Sequence, residues 1–392
     1  MKIAVDLTPL QFDGQVGGAM PFSLELTKAL ATQPGVKLVV LTAAWNDREL
    51  RQFFSCDSME FINTSGISQI QHGTLRCLSS LWNRIWRRIR GLRLLSGANV
   101  DLLFCPLSAL SFWMPGIPAI SVILDIQHEF YPHFFTKAEL ENRKAFYRKI
   151  CLRAHSIICI SEYTRKTFIE RFKFPTEKSY VAHIGIQERL SSHDDAETTK
   201  EIRRLNLQGR VYAYYPANFW PHKNHEMLIA AFSNFCKHHE HYDLHLVLSG
   251  NSLDAYDDLM LTIHRMGISD RVHSLGYVSE LTVTALYRNC RFLIFPSLFE
   301  GFGIPILEAM QFGKPVLCSN TTSLPEIAGE AALYFDPQLP DEIELAMYRI
   351  LSDDALYLEL QTKGLQQAKK YTIEAMVQQY IQVFRATVKT KE

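Results

Sequence analysis

Short apolar runs recur along the chain, and most are followed by a stretch whose apolar residues fall three and four apart. The first pattern predicts buried strands and the second amphipathic helices. Strands are expected at Lys2–Asp6, Val36–Leu41, Val100–Cys105, Ala119–Leu124 and Ser156–Ile160. Between them, helices are expected from Pro21 to about Thr32, between Leu78 and Leu95, from Lys137 to Arg153, and from Ser161 onward, with Ser161 as N-cap. After Ile186 the sequence turns polar as far as Lys200, which predicts a linker. The alternation then restarts. Strands are expected at Val211–Tyr215, Leu244–Ser249, Val272–Leu275, Phe292–Phe295 and Pro315–Ser319, helices at Glu226–Lys237 and Glu280–Asn289, a loop around Pro325 and Glu326, and helices to the end. Two rounds of β and α predict an α/β chain of two doubly wound, Rossmann-like parallel sheets facing a cleft. The expected boundaries are 1–190, 191–372, and a C-terminal helix over 373–392 that crosses back to the first domain.

Composition adds little to this picture, but charge adds something. A chain of 392 residues with 47% hydrophobic residues can fill two cores. No apolar run is long enough to span a bilayer, and Met1–Asp6 reads as a strand and not as a leader, so a cytoplasmic protein is expected. The eight cysteines have neither CxxC nor Cys/His ligand spacing, which predicts reduced thiols and no zinc site. Net charge is zero, yet residues 1–190 carry 23 Lys+Arg against 16 Asp+Glu, and residues 191–392 carry 18 against 25. Much of the basic excess lies in 78–95, where Leu78, Leu81, Trp82, Ile85, Trp86, Ile89 and Leu92 form a stripe among five arginines. Such a helix suits an anionic membrane surface at the inner face of a plasma membrane; a helix packed on its own domain with a solvated basic face fits equally well. No nucleic-acid partner is expected, and nothing in the pattern bears on oligomeric state.

Three loops carry the chemistry. In residues 295–310 a strand end runs through Gly301 and Gly303 into a helix with Pro305 in its first turn. The glycines let the backbone approach a ligand, and the amides at the helix start favour an anion, a phosphate above all. Glu300 and Glu308 flank that anion site and would repel a phosphate, so hydroxyl groups are their natural ligands. Phosphate plus hydroxyls suggests a nucleotide sugar. The loop after the first strand holds Gly14, Gly17 and Gly18 without dinucleotide spacing; they fit amides near a diphosphate or plain turn chemistry. The segment 125–133 places Asp125, His128 and His133 at the carboxyl end of a parallel strand, where open α/β sheets hold their chemistry. Asp125 and His128 would face one another only if that loop turns helically.

Glu300-Gly-Phe-Gly-Ile-Pro-Ile-Leu-Glu308, with Gly313-Lys-Pro-Val316, Ser323-Leu-Pro-Glu326 and the upstream Phe219-Trp-Pro-His-Lys-Asn-His225, resembles the signature of retaining GT-B glycosyltransferases of the family 4 type. Gly17-Gly18 is similar to that family's N-terminal glycine loop, and the stretch from Asp125 to Pro132 to one common in its bacterial polysaccharide members. The resemblance implies that Glu308 holds the ribose hydroxyls and Glu300 a hydroxyl of the transferred sugar. It assigns the diphosphate to Lys223 and the amides of Gly301, Phe302 and Gly303. It further implies retaining transfer without a metal ion, the leaving phosphate taking the acceptor proton, and no Asp-x-Asp motif occurs. Asn218 stands where the family has an arginine and Leu124 where it often has a histidine, which moves the expected catalytic role in the N-terminal domain to Asp125, then His128. The expected reaction moves a hexose, mannose from GDP-mannose by preference, to a growing bacterial surface glycan such as lipopolysaccharide O-antigen, free or lipid-linked. Two other classes fit the same residues: a nucleotide-sugar epimerase or hydrolase, and a non-catalytic subunit of a glycan assembly.

Overall fold

The strands are apolar on both faces, and in both sheets every pairing is parallel. A parallel sheet needs crossovers that cover its faces, which is why helices separate the strands. The computed structural model describes residues 1–12, 18–54, 59–64, 95, 97–186, 190, 193–252 and 256–389. The chain divides into two units, Met1–His183 with Ile373–Glu392, and Ile184–Thr372.

In the first unit the strands are β1 (Lys2–Asp6), β2 (Lys37–Thr42), β3 (Met59–Asn63), β4 (Leu102–Cys105), β5 (Ala119–Ile123), β6 (Ser156–Cys159) and β7 (Ser179–Val181), in the order β3-β2-β1-β4-β5-β6-β7. The order reverses between β1 and β4, so Asp6 and Cys105 end neighbouring strands at the switch point. The helices between them are α1 (Ala19–Ala31), α2 (Asp47–Phe53), α3 (Lys137–Arg153) and α4 (Glu162–Phe172). A capping box between Thr136 and Glu139 starts α3, and Ser161 caps α4 by accepting from the Thr164 amide at 3.1 Å. The C-terminal helix Ile373–Lys389 belongs to this unit. Its Tyr380 and Phe384 lie 5.7 and 4.9 Å from the Phe104 ring of β4, and all three rings are fully buried.

The second unit repeats the plan with β8 (Val211–Pro216), β9 (Leu244–Ser249), β10 (Val272–Ser274), β11 (Phe292–Phe295), β12 (Val316–Ser319) and β13 (Ala332–Phe335), ordered β10-β9-β8-β11-β12-β13. The two-sheet α/β architecture expected from the alternation is therefore the one found. Several local expectations are corrected. Within the polar stretch read as a linker, Asp195–Arg204 is a helix, because Asp194 and Glu197 form a capping box that polarity alone conceals. The unit boundary falls at His183/Ile184, and the Ile186 amide already donates to Tyr371 of the second unit at 2.8 Å. Leu324–Ala328, expected as a loop, is a short helix with Pro325 in its first turn. The strands at Met59–Asn63 and Ala332–Phe335 and the helix Tyr256–Arg265 were not expected. The first two are edge strands, only partly buried, and in Met59–Asn63 the apolar run is broken by Glu60. Gly17 and residues 78–94, with the basic two-tryptophan helix, lie outside the described residues. Among the described residues no helix is long and apolar enough to cross a membrane.

Candidate active site

In the second unit, the loops that follow β8 and β11 are stitched to each other. Asn224 adopts a left-handed backbone (φ 61°), and its side-chain amide donates to the carbonyls of Pro296 and Pro337 at 3.1 and 2.8 Å. The Leu298 amide donates to the His222 carbonyl at 2.8 Å, and the Tyr215 hydroxyl to the Lys223 carbonyl at 2.7 Å. These bonds present the Lys223 side chain to the loop after β11. Its Nζ lies 2.6 Å from Glu300 Oε1 and 5.4 Å from the centroid of Phe295, and both charged side chains are less than a fifth exposed. The two residues are far apart in sequence, yet the fold pairs them at the carboxyl edge of the sheet.

The 300–303 turn is held from β12's side. Ser323 Oγ lies 3.0 Å from the carbonyl oxygens of both Glu300 and Phe302 and can donate its one proton to either, and the Glu300 amide donates to Thr322 Oγ1 at 3.3 Å. Gly303 is required here. Its φ is +109°, and a Cβ would sit 2.8 Å from Leu324 Cδ2. It opens the helix Ile304–Gln311, in whose second turn Glu308 is buried. Glu308 Oε2 accepts from the Tyr287 hydroxyl at 2.9 Å. Tyr287, on the helix Glu280–Asn289, is clasped by a stacked Phe312 at 5.7 Å and an edge-on Tyr214 at 5.1 Å. Burial, and then the Glu308 carboxylate, push its phenol well above the usual range, so it acts as a hydrogen-bond donor. Sequence reading missed Tyr287, which looks like one more core aromatic. Beside Glu308, a recess is lined by Ile184, Gly185, Ile186, Phe302, Ile304 and Leu307.

Asn218 has a structural task. Its Oδ1 accepts from the Asn251 amide at 2.8 Å, tying the loop after β8 to the loop after β9. The two loops touch so closely that a Cβ on Gly250 would lie 2.3 Å from the Ala217 carbonyl oxygen. Two histidines stand on either side of Lys223 in sequence. Burial, and then the Lys223 charge, push His222 down to about 2 and His225 to about 3, so both rings are neutral and Lys223 carries the local positive charge.

In the first unit, the loop after β5 does turn helically, through a 3₁₀ turn at Gln127–Glu129. Asp125 and His128 are nevertheless not hydrogen-bonded. Asp125 Oδ1 accepts from the Gln127 amide at 3.0 Å and its carbonyl from Tyr147 at 2.6 Å. His128 is 1% exposed, stacked on Tyr147 at 5.1 Å, and neither ring nitrogen has a hydrogen-bond partner. Glu129 Oε1 comes within 3.5 Å of Nε2 without hydrogen-bond geometry. Burial, then Arg143 and Lys144, push His128 down to about 4, so it is neutral. Asp125 is partly exposed, whereas His128 is part of the packing beneath it. Gly18 precedes α1 with ordinary right-handed dihedrals (φ −65°), a conformation open to any residue. Among the described residues no group of three or more His, Cys, Asp or Glu side chains is arranged to hold a metal ion.

The second sheet thus carries a lysine, two carboxylates and a glycine-opened helix on its carboxyl edge, and the comparisons give the class of protein, a glycosyltransferase. Residues 16–189 match the Glycosyltransferase Family 4 model and residues 197–371 the Glycosyl transferases group 1 model. The O-antigen chain mannosyltransferase B of Escherichia coli is 29% identical over 267 residues, 68% of this chain and 70% of that one. The serotype-specific mannosyltransferase WbdA of Escherichia coli is 29% identical over 223 residues, 56% of this chain but only 27% of that longer protein. Among solved structures, Anabaena Alr3699/HepE in complex with UDP and glucose superposes with a TM-score of 0.76 at 19% identity, over 98% of this chain and 100% of that one. The chain belongs to the family 4 glycosyltransferases with the GT-B fold.

Proposed function

We propose that this enzyme is a retaining mannosyltransferase that uses GDP-mannose to extend a bacterial O-antigen-like glycan. The observation that carries the reading is the mostly buried Lys223–Glu300 pair, with the Glu308–Tyr287 pair on the helices Ile304–Gln311 and Glu280–Asn289 of the same unit. The similarity to an O-antigen chain mannosyltransferase and to a serotype-specific mannosyltransferase supports the choice of sugar and acceptor. In this reading Glu308 accepts from the ribose hydroxyls and Glu300 from a hydroxyl of the transferred sugar. Lys223 and the amides of 301–303 meet the diphosphate. As the bond between the anomeric carbon and the phosphate oxygen lengthens, negative charge grows on the departing nucleoside diphosphate, and a fixed cation with oriented amides stabilises it most at that moment. The acceptor oxygen bonds to the anomeric carbon on the face the phosphate leaves, and its proton passes to the leaving phosphate. Lys223 and those amides supply the charge a divalent ion would otherwise provide, so the reaction proceeds in a chelator. Asp125, on the carboxyl edge of the first sheet, orients the acceptor hydroxyl. The basic stretch 78–95 carries the enzyme to the anionic inner face of the plasma membrane and its lipid-linked acceptor.

The test is nucleoside diphosphate release from a panel of nucleotide sugars, with and without oligosaccharide acceptor and with EDTA, the product's anomeric configuration being read by NMR. Acceptor-dependent release from GDP-mannose, insensitive to EDTA and giving an α-linked product, is expected. Acceptor-independent loss of the sugar, or nucleotide binding without turnover, would replace the reading with a hydrolase or a non-catalytic subunit. Asp125→Asn should lower kcat about a hundredfold while leaving nucleotide affinity unchanged. Neutralising Arg84, Arg87 and Arg88 should abolish sedimentation with anionic vesicles.

A further inference from the structure

A leucine alone on a surface is ordinary, whereas apolar side chains repeated along one face of a helix are not. On the helix Asp354–Ala368 of the second unit, Leu358 is 59% exposed and Leu365 41%, and Ala355 and Thr362 are exposed as well. The Thr362 hydroxyl donates to the Leu358 carbonyl at 2.8 Å, which satisfies it within the helix and leaves its methyl group for contact. The four residues recur three, four and three positions apart, and at ~100° per residue they fall within about 80° of arc. A stripe that narrow, with two members in every seven residues, is the seam by which one helix packs along another.

The other face of this helix is already in use. Leu360, Gly364 and Ala368 are buried, and Gly364 lies so close to the helix Ile304–Gln311 that a Cβ would meet Met310 Cγ at 3.2 Å. Gln361 and Gln367 donate to the carbonyls of Gly313 and Ile327 at 2.9 and 2.7 Å. The stripe therefore points away from its own unit on a helix that is held in place, and covering it costs little ordering. The charges along the helix select what covers it. Asp353 and Asp354 stand at its start and Lys369 and Lys370 just past its end, all four exposed. In the middle Glu359 and Lys363 neutralise each other at 2.8 Å. One end is acidic, the centre balanced and the other end basic. A second copy of the same helix, running antiparallel, matches this distribution at both ends, whereas a parallel copy sets like charges together.

We propose that the helix Asp354–Ala368 is a seam through which two copies of this chain pair about a two-fold axis, with the two helices antiparallel. Side-chain size sets the register. Ala355 opposite Leu365 of the second copy, and Leu358 opposite Thr362 of the second copy, seat each large side chain against a smaller one. In that register Asp354 lies within one helical turn of Lys369 of the second copy, ~4.5 Å along the axis at ~1.5 Å per residue. Two-fold symmetry forms the same pair again at the other end. One helix from each copy makes a small interface, so the dimer should be weak, with a Kd of about 10 µM. The seam shares no residue with the loops that carry Lys223 and Glu300, and the pairing does not depend on glycosyl transfer.

Sedimentation velocity and light scattering of the full chain, from ~1 to ~200 µM, should show a reversible monomer–dimer equilibrium in that range. Leu358→Lys and Leu365→Lys should each raise the Kd at least about tenfold while leaving the melting temperature within ~2 °C, because both side chains are exposed in the single chain. Asp354→Lys alone and Lys369→Asp alone should each weaken pairing about three- to tenfold, and the two together should restore it, since the double swap re-forms both end pairs with their signs exchanged. A chain that stays monomeric at the highest concentration overturns the proposal. So does a dimer that Leu358→Lys leaves intact, which another surface would then be forming. Charge variants that fail to show loss followed by recovery overturn the antiparallel arrangement.

Discussion

The carboxyl edges of the two sheets are built on opposite plans. In the second unit the loops satisfy one another: Lys223 is paired with Glu300, Glu308 accepts a hydrogen bond from Tyr287, and Asn224 and Ser323 each reach two carbonyls. In the first, Asp6 Oδ2, Gln127 Nε2 and both ring nitrogens of His128 are buried without hydrogen-bond partners, and Phe12 and Trp45, after β1 and β2, stand in solvent. The contrast is not absolute: in the second unit His193 Nε2, His225 Nε2, Ser233 Oγ, Gln311 Oε1 and Thr321 Oγ1 are also buried without a partner, and Trp220 and Tyr277, after β8 and β10, are exposed. Its lesson is about ligands. On the proposed reading a charge-dense diphosphate meets groups already oriented, so little rearrangement is needed when it arrives.

The most damaging way to test the wired half is Lys223→Ala. Turnover should fall by about 10²–10³, because the cation opposite the growing negative charge is gone. Folding should also suffer, by about 3 kcal/mol, since a mostly buried Glu300 is left without its partner. Adding Glu300→Ala should recover much of the stability in urea unfolding and none of the activity. Full activity in Lys223→Ala would break the comparison at its centre.

The unsatisfied half is tested at Asp6, 1% exposed at the end of β1. Burial outweighs the hydrogen bonds from Thr8 and raises its carboxyl from 3.8 to about 6. Folding thus favours the protonated form, and this contribution is whole below pH 3.8 and is lost as pH rises through about 6. A neutral carboxamide in its place would not lose it. Asp6→Asn should match the wild type near pH 3.8 and exceed it by up to about 3 kcal/mol at pH 8, read from urea midpoints across that range. Equal pH dependence in the two proteins would mean that the carboxyl is satisfied after all, and the contrast between the edges would narrow.

Tyr287→Phe is milder and sharper. A hydrogen bond to a charged group contributes about 1.5–3 kcal/mol, and here the charge is the carboxylate assigned to ribose. The KM for the nucleotide sugar should rise about tenfold or more, with kcat within about a factor of two, while the packing against Phe312 and Tyr214 is kept. A fall in kcat with KM unchanged would place Glu308 at the reacting bond and not at the nucleotide.

These residues were not equally legible in the sequence. The central strands were readable because burial on both faces leaves continuous Val, Ile, Leu and Phe runs, as in Phe292–Phe295. The edge strand Met59–Asn63 hid because half its side chains meet water. Glu300, Glu308 and Lys223 stood out through their glycine, proline and asparagine neighbours, each needed for a backbone conformation. What could not be read was partnership. Nothing local says that Lys223 meets Glu300, that Tyr287 is Glu308's donor, or that His128 lies under Tyr147, since each pairing depends on which strands become neighbours. Asp6 hid for a related reason: it is legible as the last residue of the strand Lys2–Asp6, but only the sheet shows its carboxyl enclosed.

Ser323→Ala makes the smallest change and asks whether stitching as such matters. The hydroxyl touches no charged group; it lies between two carbonyls of the turn that carries Glu300 and the 301–303 amides. Its removal leaves those carbonyls short of a donor in a fully buried position, at a cost of about 1 kcal/mol in stability. If the turn must be fixed for catalysis, kcat should fall about three- to tenfold while the KM for the nucleotide sugar changes little, because amides misplaced by a fraction of an ångström lose more of their hold on a charge that develops during reaction than on one already present. Ser323→Thr keeps the hydroxyl and should restore kcat if its added methyl is accommodated. An alanine variant less stable by that amount yet unchanged in kcat would show that the loops of the second unit are stitched for folding alone, and the difference between the two edges would then be one of packing and not of catalytic preparation.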